Sequence, residues 1–349
     1  MRGVRLPVTQ RDVAARANVS PMVVSHVLNK RASSVRVSAP TAERVRIAAR
    51  ELGYRCNVYA RNFRSQKTEV IGVVHGMGFA RPLFNSGPRY FSALMDGIVD
   101  GAFRHGYSVT LCPKLLGTEP GDAMSDGRFD GLVWYNTTQA QENLDMLRNC
   151  SSPLVVIHGT QPEHATYPTV ICDNDQGVGL AVYHLAGLAH RRIAFSLDGR
   201  CIDGESSLRA DAFVRHMERQ GLPAGPDSLV YLGDDNDYDI ESLLSHDFTA
   251  VIAYNDGHAA SILRAAEHAG VKVPSELSVV GFDSTSFCEE LRPRLTSVFQ
   301  PLSQIGGLAI DLLTHVIRDR SIEPSHLVVP CRLDIRGSTT SPNTRCHIQ

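Results

Sequence analysis

A small all-helical head, followed by an α/β body of two doubly wound parallel-sheet lobes, is the fold class that this 349-residue sequence predicts. Three observations carry the prediction. The first 67 residues hold 14 of the 35 Lys and Arg but only Asp12, Glu43 and Glu51 of the 37 acids, a net +11 against −13 for the remainder. Apolar residues in that head recur with the period of short helices. From Glu69 on, apolar runs of four or five residues alternate with amphipathic stretches, the rhythm of parallel strands joined by right-handed crossovers.

In the head, Val13, Ala14 and Ala17 form the inner stripe of a first short helix, and Asn18-Val19 makes the turn. Ser20 stands at an N-cap with Pro21 at the first helical position, where a missing N–H costs nothing. Val24, Val27 and Leu28 line the inside of this second helix, which leaves Pro21, Met22, Ser25 and His26 outward. Two short helices joined by a tight turn make a helix-turn-helix, whose second helix enters a DNA major groove. Ser38 caps a third helix with Val45, Ala48, Ala49 and Leu52 inside, and Gly53 stops it in a left-handed cap. A basic head on an acidic body is the electrostatic footprint of a nucleic-acid module.

In the body, strands are expected at Val70–Val74, Ser108–Leu111, Gly131–Trp134, Leu154–Ile157, Thr169–Ile171, Arg192–Phe195, Leu229–Tyr231, Ala250–Ala253 and Leu277–Gly281. So many strands suit two lobes better than one. Such folds bind ligands at the carboxyl ends of their strands, and two facing lobes enclose a cleft.

Other functions find little support. With 43% apolar and 21% charged residues the chain is neither disordered nor membrane-spanning, and Met1–Pro7 has no apolar core for a signal peptide. The eight cysteines are dispersed without Cys-x-x-Cys, as unpaired thiols in a reducing cytoplasm. Gly72, Gly76 and Gly78 follow a strand but do not match Gly-x-Gly-x-x-Gly, and no P-loop or Gly-x-Ser-x-Gly elbow occurs. Asp234–Asp239 lacks the central glycine and final glutamate of a calcium loop, and the 14 histidines show no ligand spacing. The expectation is no enzyme, no metal and no cofactor.

The head's runs Asp12-Val-Ala, Val19-Ser, Val24-Ser, Val27-Leu-Asn29, Val37-Ser, Thr41, Arg44-Val45, Leu52-Gly-Tyr-Arg, Asn57, Ala60-Arg and Arg64-Ser65 resemble the lactose/galactose repressor (LacI/GalR) family. The body continues the resemblance at His190–Phe195, Leu208–Phe213, Ala253–Asp256, Val273-Pro274, Val279–Asp283, Leu291–Thr296 and Gln300–Leu302. It implies a helix-turn-helix DNA-binding domain at 1–57, a hinge helix and linker at 58–68, with the helix at 58–66, and an effector-binding and dimerisation domain at 69–340. That last domain is similar to periplasmic sugar-binding proteins, with a chain that crosses between lobes three times. Lobe 1 is expected at about 69–165 and 296–324, lobe 2 at about 166–295 and 325–340, with a short tail at 341–349. The tail has no leucine heptads, so a homodimer is expected.

The resemblance implies DNA contacts from Thr9, Ser20, Pro21, Met22, Ser25, His26, Asn29, Arg31, Arg36, Tyr54, Asn57, Ala60 and Phe63. Three departures stand out. His26 replaces an arginine that can clamp guanine with two donors, whereas imidazole offers one nitrogen at a time. Phe63 replaces a leucine that wedges into the minor groove; it either wedges likewise or packs against the body. The loop 30–36 is longer than usual, and Arg31 or Arg36 either meets phosphate or stays solvated. Arg209, Asn255 and Asp283 are expected to bind the effector from lobe 2, the alternatives being an interlobe ion pair for the first and helix caps for the others. From lobe 1, Phe79 or Phe84 is the candidate ring, and Trp134 the candidate sugar-stacking face, with a core position as its alternative. The function so implied is a cytoplasmic, sequence-specific transcriptional regulator, expected to repress. Its pseudo-palindromic operator affinity answers to a sugar or sugar derivative.

Overall fold

Thr9 starts the first helix among the described residues by a reciprocal exchange. Its hydroxyl accepts from the Asp12 N–H, and its own N–H donates to the Asp12 carboxylate at 2.8 Å. The helix α1 (Gln10–Ala17) ends at Asn18, whose φ of 52° closes the turn into α2 (Pro21–Asn29). There the Ser20 hydroxyl accepts from the Val23 N–H at 3.4 Å. The third helix, α3 (Ala39–Leu52), is stopped by Gly53 at φ 67°. Ser38 is its cap residue but makes no side-chain cap bond, its hydroxyl meeting that of Thr41 at 2.9 Å instead. Val13, Ala14, Ala17, Val24, Val45, Ala48 and Ala49 form the buried core of this unit, small residues where the helices cross. These coordinates are a computed structural model describing residues 8–29, 36–55, 67–75, 89–112, 124–135, 141–158, 167–198, 204–232, 240–319 and 325–343.

The chain divides into two units at Thr68/Glu69. The second unit is built on two six-stranded sheets. The first holds β1 (Val70–His75), β2 (Ser108–Cys112), β3 (Gly131–Tyr135), β4 (Leu154–Ile157), β5 (Thr169–Cys172) and β11 (His326–Val329). Its order is β11-β5-β4-β3-β1-β2, parallel throughout, with Val70 opposite Ser108 and Val329 opposite Cys172. The second holds β6 (Ile193–Asp198), β7 (Leu229–Leu232), β8 (Ala250–Ala253), β9 (Ser278–Asp283), β10 (Thr296–Phe299) and β12 (Arg332–Asp334). Its order is β12-β10-β9-β8-β6-β7, with only β12 antiparallel.

Among the described residues, the helices of the second unit are α4 (Tyr90–Arg104), α5 (Gln141–Asn149), α6 (Asn174–Gly187), α7 (Glu205–Arg219), α8 (Ile240–Ser245), α9 (Asp256–His268) and α10 (Leu302–Arg318). In lobe 1, α4 crosses α10 so closely that a Cβ on Gly97 would lie 1.9 Å from the Ser303 carbonyl oxygen. A Cβ on Gly306 would lie 2.5 Å from that of Leu94, so glycine is what permits the crossing. In lobe 2, α6 and α7 pack together on one face of the sheet, and α8 and α9 cover the other with Ile240, Leu243, Ile262 and Leu263. No helix among the described residues is long and apolar enough to cross a membrane.

The sheets correct the expected lobe boundaries. Residues 169–172 and 326–329 belong to the lobe 1 sheet, and 296–299 to the lobe 2 sheet. Local apolarity marks a strand but not its neighbour, which hydrogen bonding across the sheet selects. The chain therefore crosses after Cys172, after Phe299 and between Val329 and Arg332, each time just past a strand.

Candidate functional site

On the head, the three acids are consumed internally. Asp12 caps α1, and that bonding holds its carboxyl below the usual range. Glu43 takes Arg46 at 3.2 Å and Arg50 at 3.0 Å, and Glu51 takes Arg16 at 2.7 Å. None of these carboxylates sits on α2, so nothing acidic interrupts its outward side. There Pro21 and Met22 are exposed, Met22 at 69%, an apolar side chain with no core to join. Ser25 and His26 are half-buried one turn on, while Val24 is fully inside. Arg36 is exposed, and Tyr54 packs partly against the three-helix core. Thr9 and Ser20 are the helix-starting residues already described, and Asn29 ends α2. Arg31, Asn57, Ala60 and Phe63 lie outside the described residues, as does the expected hinge helix.

The cleft of the second unit is built from strand ends. Arg209, on the second turn of α7, is 5% exposed. Its Nε donates to Asn174 Oδ1 at 2.8 Å and its Nη1 to the Tyr254 carbonyl at 2.6 Å. The guanidinium lies 3.8 Å from Glu205 and 3.8 Å over the Phe282 ring centre. Its ion-pair partner is one helical turn back on α7, so the pair lies within lobe 2 and not across the lobes. Asn174 Nδ2 in turn donates to Glu205 Oε2 at 2.6 Å.

Asp283 ends β9 with φ at 122°, a backbone region that costs a residue with a Cβ about 1–3 kcal/mol. The surrounding bonds hold it there: Gln300 Nε2 donates to Asp283 Oδ1 at 2.6 Å, and the next residue's N–H donates to the Ser297 hydroxyl at 3.1 Å. Burial, then the charge of Asp256, pushes the Asp283 carboxyl well above its ordinary range. A carboxyl held toward its neutral form offers an O–H donor besides its acceptors. Asn255 is the N-cap of α9, its Oδ1 accepting from the His258 N–H at 2.7 Å. Its neighbour Asp256 is fully buried and accepts from the Thr285 N–H at 3.1 Å, the Cys288 thiol at 3.1 Å and the Ser297 hydroxyl. Burial raises its pKa to about 6. Asp256 thereby ties α9 to the end of β9.

Arg209, Asn255 and Asp283 thus gather around the ends of β8 and β9. Trp134 does not join them, which corrects its cleft-facing placement. One residue short of the end of β3, it points to the sheet face occupied by Leu132, Met124, Leu147 and Tyr167. Tyr135, the true strand end, lies on the opposite face with Phe91 and meets the His75 ring edge-on at 4.7 Å. Phe79 and Phe84 fall outside the described residues.

Lobe 1 brings residues that no sequence motif marks. His158 follows β4 in the left-handed region at φ 55° and is 2% exposed. Neither of its ring nitrogens has a hydrogen-bond partner among the described residues. Burial lowers its pKa and keeps the ring neutral. Its Nδ1 stands 3.8 Å from Glu205 of lobe 2, and the Tyr90 ring at the head of α4 is 5.9 Å away. Cys172, the last residue of β5, is fully buried with its thiol 3.9 Å from the same Glu205 oxygen. Each of these occupies a strand's carboxyl end or the first turn of α7, a positional signal available in the sequence. A cavity of about 500 Å³ opens between the lobes, lined by Asp283, Gln300, Leu302, Cys331 and Arg332 among others; of Arg209, Asn255 and Asp283, only Asp283 borders it. It touches the second and third crossovers, so a molecule within it meets the segments that join the lobes.

Residues 9–57 match the family model described as bacterial regulatory proteins, lacI family, and residues 182–339 match a periplasmic binding protein-like domain. Catabolite control protein A of Staphylococcus epidermidis is 30% identical over 346 residues, covering 96% of this chain and 100% of that protein. The HTH-type transcriptional repressor PurR of Pasteurella multocida is 28% identical, over 95% of this chain and 99% of its own. Among solved structures, the transcriptional regulator CelR–cellobiose complex is 26% identical with a TM-score of 0.70, over 95% of this chain and 99% of that one. The lac repressor dimer bound to operator and the anti-inducer ONPF shares the fold, with a TM-score of 0.77 at 24% identity over 96% of this chain and 100% of that one.

Proposed function

Since the chain belongs to the lacI family of bacterial regulatory proteins, and is thus a DNA-binding transcriptional regulator, we propose that a small molecule held between its lobes sets its operator affinity. The proposed effector class is a sugar or sugar derivative. The observation that carries this reading is the interlobe cavity of about 500 Å³, bordered by Asp283 and two crossovers. Arg209, Asn255 and Asp283 present a charged fork, an amide and a carboxyl to ligand hydroxyls, each held by bonds that fix its direction. A relative solved with cellobiose supports the same class.

On the head, Met22 and His26 are the proposed base-reading residues of α2, and Arg36 a phosphate contact, because they face outward on a surface without competing acids. The regulator acts as a homodimer on a pseudo-palindrome, represses by occupying it, and works in the cytoplasm, where promoters are; it performs no turnover. Effector binding favours one arrangement of the lobes, and a coupling of about 1–3 kcal/mol switches DNA affinity 5- to 150-fold. A thermal-shift screen of sugars and sugar acids tests the site. The ligand that stabilises the wild type should stabilise Arg209→Ala and Asp283→Ala much less. Equal stabilisation of all three would place the effector elsewhere.

A further inference from the structure

The cleft also contains a donor set that a sugar site does not require. His158 Nδ1 or Nε2, Cys172 Sγ and a Glu205 oxygen lie within 4.8 Å of one another, the first two from lobe 1 and the third from lobe 2. The separations from Glu205 are 3.8 Å to His158 and 3.9 Å to Cys172. Zinc-class bonds of about 2.0–2.3 Å in a tetrahedron put neighbouring donors roughly 3.3–3.6 Å apart, so these two pairs stand a few tenths of an ångström outside bonding geometry. All three donors are shielded from solvent, with Glu205 16% exposed at its side chain. His158 supplies the second and independent sign: a buried imidazole with no hydrogen-bond partner on either nitrogen among the described residues. The surrounding bonds have the form of a ligand support, since Asn174 orients the Glu205 carboxylate and Arg209 orients Asn174.

We propose that His158, Cys172 and Glu205 bind one thiophilic divalent cation of the zinc class, which bridges the two lobes. Binding is an exchange: the Cys172 thiol loses its proton to solvent as the sulfur–metal bond forms, and the carboxylate and neutral imidazole enter as they are. A single oxygen donor and the nearby Arg209 guanidinium make the site poor for magnesium or calcium, which need many oxygens. Thiolate and imidazole select the softer ions. Because the donors come from both lobes, the ion holds them together, so metal and lobe closure are linked. This regulatory half rests on the reading of the cleft as effector site; the binding half does not.

The test uses full-length protein, reduced, chelator-stripped and titrated with Co²⁺ alone. One equivalent should bind with thiolate-to-cobalt charge-transfer absorption and the visible bands of four-coordinate cobalt, and Zn²⁺ should displace it. Cys172→Ser should lose the charge-transfer band. Glu205→Gln, which keeps the side-chain shape, should bind about tenfold or more weakly and lose Zn²⁺-dependent thermal stabilisation. Cys112→Ser, on the far face of the lobe 1 sheet, should keep the full spectrum. The site is refuted if no stoichiometric Co²⁺ binds, or if Cys172→Ser and wild type give the same band. Operator binding with and without Zn²⁺ tests the linkage. An operator affinity that Zn²⁺ leaves unchanged in a metal-loaded protein refutes the bridge's regulatory role, whereas absence of operator binding in every condition counts against the DNA-binding reading alone.

Discussion

Replacing Arg209 by methionine separates its charge from its volume. Methionine keeps apolar contact with Phe282 but removes the guanidinium from Asn174, the Tyr254 carbonyl and Glu205. Hydrogen bonds to a charged group contribute about 1.5–3 kcal/mol each, and removing one partner of a buried pair costs about 3–5 kcal/mol because the other charge stays buried. Both side chains are well under one-third exposed, so solvent screening is slight. Arg209→Met should therefore lose about 4 kcal/mol of stability in the second unit. Adding Glu205→Gln should restore about 1–2 kcal/mol of it, because an amide replaces the abandoned carboxylate. Urea unfolding of the full-length single and double variants, followed by far-ultraviolet circular dichroism, measures both. A loss below about 1 kcal/mol, or a double variant as unstable as the sum of its singles, would refute the view of Arg209 as the charge centre of the cleft.

Three further outcomes follow from the geometry. Gly97→Ala should destabilise by about 1–3 kcal/mol in chemical denaturation, since its Cβ would meet the Ser303 carbonyl at 1.9 Å. Helix propensity alone would stabilise by about 1 kcal/mol, so the sign of the change decides. The raised pKa of Asp256, about 6 against an ordinary 3.8, means the native state binds the extra proton. Stability should be highest below about pH 4 with respect to this group and decline by about 3 kcal/mol as pH rises through 6; a flatter wild-type profile, or one unchanged in Asp256→Asn, contradicts that. On DNA, His26→Ala should lose about 1–3 kcal/mol on operator and little on random duplex, whereas Arg36→Ala should weaken both and lower the salt slope by about one. Parallel losses on both duplexes for His26→Ala would remove it from base reading.

Much of this architecture was legible because burial writes itself into local pattern. All nine expected strands form, since each is an apolar run that packs at least partly against a core. The head's stripe of Val13, Ala14, Ala17 and Val24 is the core that its spacing implied. The three strands that escaped notice are β10, β11 and β12. The latter two are short, half-exposed edge strands, and β10 carries Thr296 and Ser297 inward to bond Ser338, Asp256 and the Ser284 N–H. β10 and β11 account for two of the shifted lobe boundaries, whereas β5 is an expected strand whose pairing with β4 and β11, not its apolarity, places it in lobe 1. Trp134 was misplaced by one residue of strand alternation, which reverses the face a side chain takes. His158, Cys172 and Glu205 went unremarked because they converge only when three separate chain segments are folded. No spacing along the sequence encodes that meeting.

The most direct test of the mechanism is the affinity of the full-length protein for a labelled pseudo-palindromic promoter duplex, read by fluorescence anisotropy at fixed salt, with and without saturating ligand from the thermal screen. Ligand-driven rearrangement of the lobes predicts a 5- to 150-fold change in Kd for that duplex, abolished in Asp283→Ala, with log Kd rising steeply against log salt. The same Kd at zero and saturating ligand, or equal affinity for promoter and random duplex, would contradict it.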